Sequence, residues 1–206
     1  MKLNIGCGGN RLRGYVNIDS NPGLRPDRIM QAYDLDFKSG SVEEITANHL
    51  IEHLGFFKTK YFLSECFRVL KTGGILKIET PRIEKTFKIF LKAKNARVRE
   101  KALGWVYGAE TDGMGHKYCF PVELMEKLTA EAGFKILKKE FYNYESSRPA
   151  CRFVLRKPKH SRLANLQAEF RKELLKRKIP CFTDEQVSSE QEKIIEKVMC
   201  AIKEGV

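Results

Sequence analysis

The sequence predicts an open, doubly wound α/β sheet with a ligand crevice near its N-terminus. Three observations carry this. An apolar strand pattern, Leu3 and Ile5, runs straight into a glycine turn, Gly6-Cys7-Gly8-Gly9-Asn10. A second short strand, Tyr15–Asp19, ends in a carboxylate. Short apolar runs then alternate with amphipathic helical patterns, the signature of a mostly parallel sheet with helical crossovers. In such sheets ligands sit outside the carboxyl ends of the strands, where the strand order reverses. Glycines there let the backbone approach a ligand with no Cβ in the way.

The first turn begins like the dinucleotide fingerprint Gly-x-Gly-x-x-Gly, whose following helix holds a pyrophosphate. Arg11 stands where the third glycine belongs, which weakens a dehydrogenase reading. Only Arg11-Leu12-Arg13-Gly14 separates the first two strands, too little for a crossover helix. Asp19 is followed by Ser20 and Asn21-Pro22. A carboxylate there can accept two hydrogen bonds from a ribose diol, although Asp-Ser-Asn-Pro also suits a plain turn.

Further along, Arg28–Tyr33 reads as a third strand closed by Asp34-Leu35-Asp36-Phe37, and Val42–Ala47 as a fourth. Asn48-His49-Leu50-Ile51-Glu52-His53-Leu54 follows at its carboxyl end. Tyr61–Leu70 is an amphipathic helix with Phe62, Cys66, Val69 and Leu70 on one face. Lys71-Thr72-Gly73-Gly74 is expected to stop it with a glycine cap, before a fifth strand, Ile75–Pro81. Ile83–Tyr107 is helical in pattern, basic and aromatic. Residues 83–120 are expected to cover the active site. Val122–Ala132 is a helix capped by Gly133, and Phe134–Tyr144 and Ala150–Lys157 are the last strands. Pro158 marks a boundary between a domain, 1–157, and a C-terminal helical extension, 158–206. There Leu163, Leu166, Phe170 and Leu174, and later Val187, Ile194, Ile195, Val198, Met199 and Ile202, recur at helical spacing. These helices are expected to cover a sheet face left bare by missing N-terminal helices.

A net charge of +12 over 206 residues favours an acidic partner, whether nucleic acid, a phosphorylated metabolite or an anionic surface. A solvated lysine-rich surface accounts for it equally well. The six cysteines contain no Cys-x-x-Cys pair, which argues against a zinc site and a disulfide framework. No apolar run is long enough for a membrane span, and Gly6 comes too early for a signal peptide. A reduced cytoplasm is the expected compartment.

Four elements recur in an order that resembles one family: Ile5-Gly6-Cys7-Gly8-Gly9-Asn10, Asn17-Ile18-Asp19, His49-Leu50-Ile51-Glu52-His53-Leu54, and Arg68-Val69-Leu70-Lys71-Thr72-Gly73-Gly74-Ile75-Leu76. They look like a class I S-adenosylmethionine-dependent methyltransferase of the type 11 group, over roughly residues 1–157. The resemblance implies a Rossmann-like, doubly wound seven-stranded sheet with an antiparallel last strand. It implies S-adenosylmethionine as cofactor and no metal. Gly6, Cys7, Gly8 and Asn10 would hold the methionine part. Asp19 and Ser20 would hold the ribose, and Asp34 and Leu35 the adenine edge. Asn48 and His49 would border the reacting methyl.

Methyl transfer from a sulfonium is an in-line displacement, for which the protein mainly supplies proximity and alignment. A base for the acceptor is optional. His49, Glu52 and His53 would share one face if a helix begins there, and His116 follows Gly113-Met114-Gly115 in a segment that can close over a substrate. Each is a candidate base, since imidazole exchanges protons near neutral pH. Each also has a bland role, orienting a helix start or pinning a loop. The expected function is methyl transfer to a small or anionic acceptor. One alternative is RNA methylation, with Arg148–Lys178 tracking phosphates and Phe141, Tyr142 and Tyr144 stacking bases, although no RNA-binding module is appended. Another is a non-catalytic S-adenosylmethionine-binding protein.

Overall fold

The computed structural model describes residues 1–109, 111, 114–145, 147–159 and 162–176, without the side chains at 162, 163, 170 and 173–176. The second C-terminal helix expected from the sequence lies outside the described residues.

Seven strands form one sheet: β1 Lys2–Ile5, β2 Val16–Asp19, β3 Arg28–Ile29, β4 Val42–Asn48, β5 Leu70–Pro81, β6 Lys135–Tyr144 and β7 Arg148–Arg156. Their order is β3-β2-β1-β4-β5-β7-β6. β1 pairs in parallel with both β2 and β4, so the strand order reverses at β1. β7 alone runs antiparallel, between β5 and β6. The helices are α1 Ile51–Leu54, α2 Phe56–Val69, α3 Ile83–Lys92, α4 Ala96–Tyr107, α5 Val122–Glu131 and α6 Arg162–Lys176. The expected fold class stands.

The core follows the pleat. Leu3, Ile5, Ile18, Ile45, Ala47, Leu76, Ile78, Phe153 and Leu155 are buried together with Phe62, Leu63, Cys66 and Phe67 of α2 and Met125 and Leu128 of α5. Side chains alternate across a strand, so Asn4, Asn17, Thr46 and Glu79 are out of phase with that set. Asn4 donates to Asn17 Oδ1 (2.9 Å) and to the Asn10 carbonyl (3.0 Å), and Asn17 Oδ1 accepts from Leu12 N (2.8 Å). These amides hold the glycine loop where a crossover helix would otherwise brace it.

Several expectations are corrected. The third strand is two residues long, because the chain turns at once and Asp34 N bonds the Gln31 carbonyl. Glycine does not cap α2. Leu70 is already extended and paired with Val42, and residues 71–74 bulge out before pairing resumes at Glu44–Ile75. The 83–107 stretch is two helices, and Asn95 caps the second by accepting from Val98 N. α6 does not cover a bare sheet face. It lies against α2, where Ala168 is buried, Arg171 donates to Ser64 (2.6 Å) and Lys172 pairs with Glu65 (3.1 Å). The out-of-phase face needs no apolar cover, because it is polar.

Candidate functional site

The strand ends at the reversal point enclose a cleft of about 320 Å³ lined by Asn4, Gly6, Cys7, Asn10, Asn48, His49, Glu79, Tyr142, Tyr144 and Arg152. This is within the usual size range of small-molecule sites. After β1, Gly6 (φ +66) and Gly8 (φ +53) take the left-handed conformation that only glycine adopts cheaply. A Cβ on Gly6 would come within 2.6 Å of Leu50, whereas one on Gly8 or Gly9 would meet nothing within 4 Å. The turn is therefore tight behind and open in front.

Asp19, ending β2, is fixed by the same turn. Its Oδ2 accepts from Gly8 N and its Oδ1 from Asn21 N, both at 2.9 Å. Each oxygen keeps a further lone pair. Cys7 is buried, and burial, followed by the Asp19 charge, raises its thiol above the usual value. It packs rather than attacks.

The far wall is a chain of charges. His49 follows β4 in the left-handed conformation (φ +51). Its Nδ1 lies 3.0 Å from Glu52 Oε1, and its Nε2 lies 3.1 Å from Glu79 Oε1 as an ion contact without hydrogen-bond alignment. Burial disfavours a charged imidazole, but the two carboxylates outweigh it and raise the pKa to about 9. That value keeps the imidazole protonated near neutral pH, which argues against His49 as a base. Glu79, 3% exposed, also accepts from Arg152 Nη2 (2.7 Å) and Tyr142 Oη. Burial pushes the Glu79 carboxyl up, yet His49, Tyr142 and Arg152 bring it down to about 2. The Tyr144 ring leans on His49 at 4.7 Å between centroids.

α1 starts only at Ile51, so His49 lies outside it, and His53 turns toward residues 115–116 rather than toward His49. Its Nδ1 meets the Gly115 carbonyl (3.1 Å), and its ring meets His116 edge-on at 5.0 Å. His116 Nδ1 is 3.1 Å from the Val106 carbonyl. Burial, its largest influence, holds His116 below the usual imidazole value. No described residue of the segment 83–120 is among those lining the cleft. Instead Lys117 N and Tyr118 N bond the Glu52 carbonyl, at 2.8 and 3.3 Å.

Asp34 and Leu35 fall away from the cleft. The Leu35 side chain is fully buried, its N–H donates to Glu65 (2.8 Å), and its carbonyl accepts from Arg68 (2.9 Å) and Lys172 (3.2 Å). With both backbone groups engaged, Leu35 has none left for an adenine edge. Asp34 is exposed and pairs with Lys172. Ser20 is exposed, and neither it nor Gly8 and Asp19 is among the residues lining the cleft. Sequence reasoning missed Asn4, Glu79 and Arg152, and read Tyr142 and Tyr144 as base-stacking residues. They belong to strands β1, β5, β6 and β7, where no local motif marks them.

The antiparallel β7 inserted between β5 and β6 separates this sheet from the all-parallel dinucleotide fold. Residues 3–78 match the methyltransferase domain family of type 11, a match consistent with a class I S-adenosylmethionine-dependent methyltransferase. An S-adenosylmethionine-dependent methyltransferase from Methanosarcina mazei is 16% identical, with a TM-score of 0.58 over 76% of this chain and 92% of that one. A methyltransferase of the same dependence from Archaeoglobus fulgidus is 14% identical, with a TM-score of 0.55 over 76% and 85%. A Haloferax volcanii complex of a methyltransferase with the Trm112 methyltransferase activator also matches, at 12% identity and TM-score 0.56 over 76% and 82%. No curated protein matches the sequence. No helix among the described residues is long and apolar enough to cross a membrane.

Proposed function

We propose that the chain is an active methyltransferase that transfers a methyl group from S-adenosylmethionine to a small or anionic acceptor. The observation that supports this best is the Asp19 carboxylate, held by two backbone N–H groups beside a glycine turn that is open in front. A pre-oriented carboxylate suits a ribose diol, and an open glycine surface suits close backbone contact. The residues present therefore fit the cofactor, which when bound supplies an activated methyl on a sulfonium.

The chain's own residues bind and orient. Gly6, Cys7 and Gly8 present backbone, Asn10 and Asn48 offer amides, and Asp19 takes the ribose hydroxyls. His49, as an imidazolium, donates rather than removes a proton. Three of the residues that the RNA reading would use to track phosphates are taken up by internal bonds. Arg152 is on Glu79, Lys157 is on the carbonyls of Phe67 and Leu70, and Lys172 is on Asp34 and Glu65. Two of its three stacking residues are engaged too, Tyr142 with Glu79 and Tyr144 with His49, while Phe141 is exposed.

Calorimetry with S-adenosylhomocysteine tests the reading. Wild type should bind it, NAD should not compete, and Asp19→Asn should weaken binding by about 1.5–3 kcal/mol, the scale of a hydrogen bond to a charged group. Unchanged affinity in Asp19→Asn would remove the ribose assignment. Binding with no label transfer to a broad acceptor panel would favour a non-catalytic cofactor-binding protein.

A further inference from the structure

We propose that Glu52, His53 and His116 form a binding site for a divalent first-row transition-metal ion. One ligating atom from each lies within 4.8 Å of the other two. The two histidines come from separate elements, α1 and the segment after α4. Each spends Nδ1 on a backbone carbonyl at 3.1 Å, His53 on Gly115 and His116 on Val106. A carbonyl only accepts, so each Nδ1 carries a hydrogen, and in the neutral ring each Nε2 keeps its lone pair. Metal-bound imidazoles are oriented by this kind of second hydrogen bond.

Glu52 completes the set. Its side chain is 1% exposed, and its oxygens accept from His49 Nδ1 (3.0 Å) and Thr80 Oγ1 (3.1 Å). Those bonds fix the carboxylate plane and leave each oxygen another lone pair. With both rings neutral, two imidazoles and a carboxylate thus converge as lone-pair donors. A cation between them offsets the mutual repulsion. Two nitrogens and one oxygen suit zinc, cobalt or iron, whereas magnesium and calcium take oxygen ligands. Bonds of about 2.0–2.2 Å require the three groups to draw slightly closer. Both histidines are half-buried rather than sealed, which gives the ion a path from solvent. The ion would tie residues 115–118 to α1, reinforcing the bonds from Lys117 N and Tyr118 N to the Glu52 carbonyl. Glu52 would then link the ion to His49 on the cleft wall.

The test uses the full chain, stripped with chelator and titrated with Co²⁺ while visible d–d absorption is followed. Zn²⁺ is then added to displace it. Wild type should bind one equivalent saturably. His53→Ala and His116→Ala should each weaken binding by about tenfold or more, and His160→Ala should leave it unchanged. Circular dichroism checks that each variant is folded. Should one unfold, Zn²⁺ should still raise the melting temperature of wild type and fail to raise that of His53→Gln. No saturable Co²⁺ binding by wild type would overturn the site. So would unaltered affinity in both alanine variants, or loss in His160→Ala alone. None of these readouts depends on methyl transfer.

Discussion

Replacing Glu79 by Gln should change how stability depends on pH, not merely its level. The carboxylate is 3% exposed and faces three partners, His49, Arg152 and Tyr142. Its folded pKa is near 2, against 4.5 for an ordinary glutamate. One pKa unit corresponds to about 1.36 kcal/mol, so the shift contributes on the order of 3 kcal/mol. Because the folded value lies below the unfolded one, this contribution is complete above about pH 4.5. It fades as the pH falls, and is gone below about pH 2. Near pH 3 about 2 of the 3 kcal/mol should already be lost. Urea unfolding of wild type and Glu79→Gln at pH 7, 4.5 and 3 checks this. The difference between them should be about 3 kcal/mol at pH 7, little smaller at 4.5, and about 1 kcal/mol at 3. A difference that stays constant with pH would mean that Glu79 acts through packing alone and would refute the reasoning. In the variant, His49 keeps only Glu52, so NMR titration should find its imidazole below 9.

Four further outcomes follow from other contacts. Lys157, 4% exposed, has its pKa lowered by burial to about 8. Folded protein therefore sheds this proton first, and stability relative to Lys157→Met should rise between about pH 8 and 10.5, by on the order of 3 kcal/mol. Parallel pH profiles in thermal melts would contradict that. Gly133→Ala should cost about 1–3 kcal/mol, since the residue has φ +92 and its Cβ would stand 2.6 Å from Ala164 and 3.0 Å from Phe67. Chemical denaturation reads it directly. A chain ending at Lys159 lacks α6 and should melt roughly 5–10 °C lower; an unchanged melting temperature would make α6 a partner-binding arm. Gly108→Ala would put a Cβ 2.3 Å from the Met114 carbonyl, so hydrogen exchange should accelerate at His116 N, which bonds the Tyr107 carbonyl.

The half of the site that was legible in the sequence is the half built from contiguous residues. Gly6, Cys7, Asn10, Asn48 and His49 line the cleft because strand-to-loop junctions carry local signals, namely glycine at positive φ and polar residues after an apolar strand. Glu79, Tyr142 and Arg152 carry no such signal. Glu79 reads as one polar position in a strand, and only the antiparallel register, which pairs it with Arg152, makes it the hub of the charged wall. His49 was legible as a site residue but not in its charge state. That depends on two buried carboxylates, one of them thirty residues away along the chain.

By itself the sequence determined the class of sheet, the glycine turn, the carboxylate ending β2, and the absence of a crossover helix between β1 and β2. Each follows from periodicity, backbone freedom or chain length, which act over a few residues. The tertiary structure alone decided the rest. It placed α6 on α2 rather than on the sheet, turned the expected glycine cap into a strand bulge, and drew Leu35 into Glu65 and Arg68. It also parted His53 from His49 and set it beside His116. These outcomes depend on which buried polar groups find partners across the fold. Local pattern cannot fix such pairings, because the competing partners lie tens of residues apart and only the packed sheet brings one set within hydrogen-bond reach.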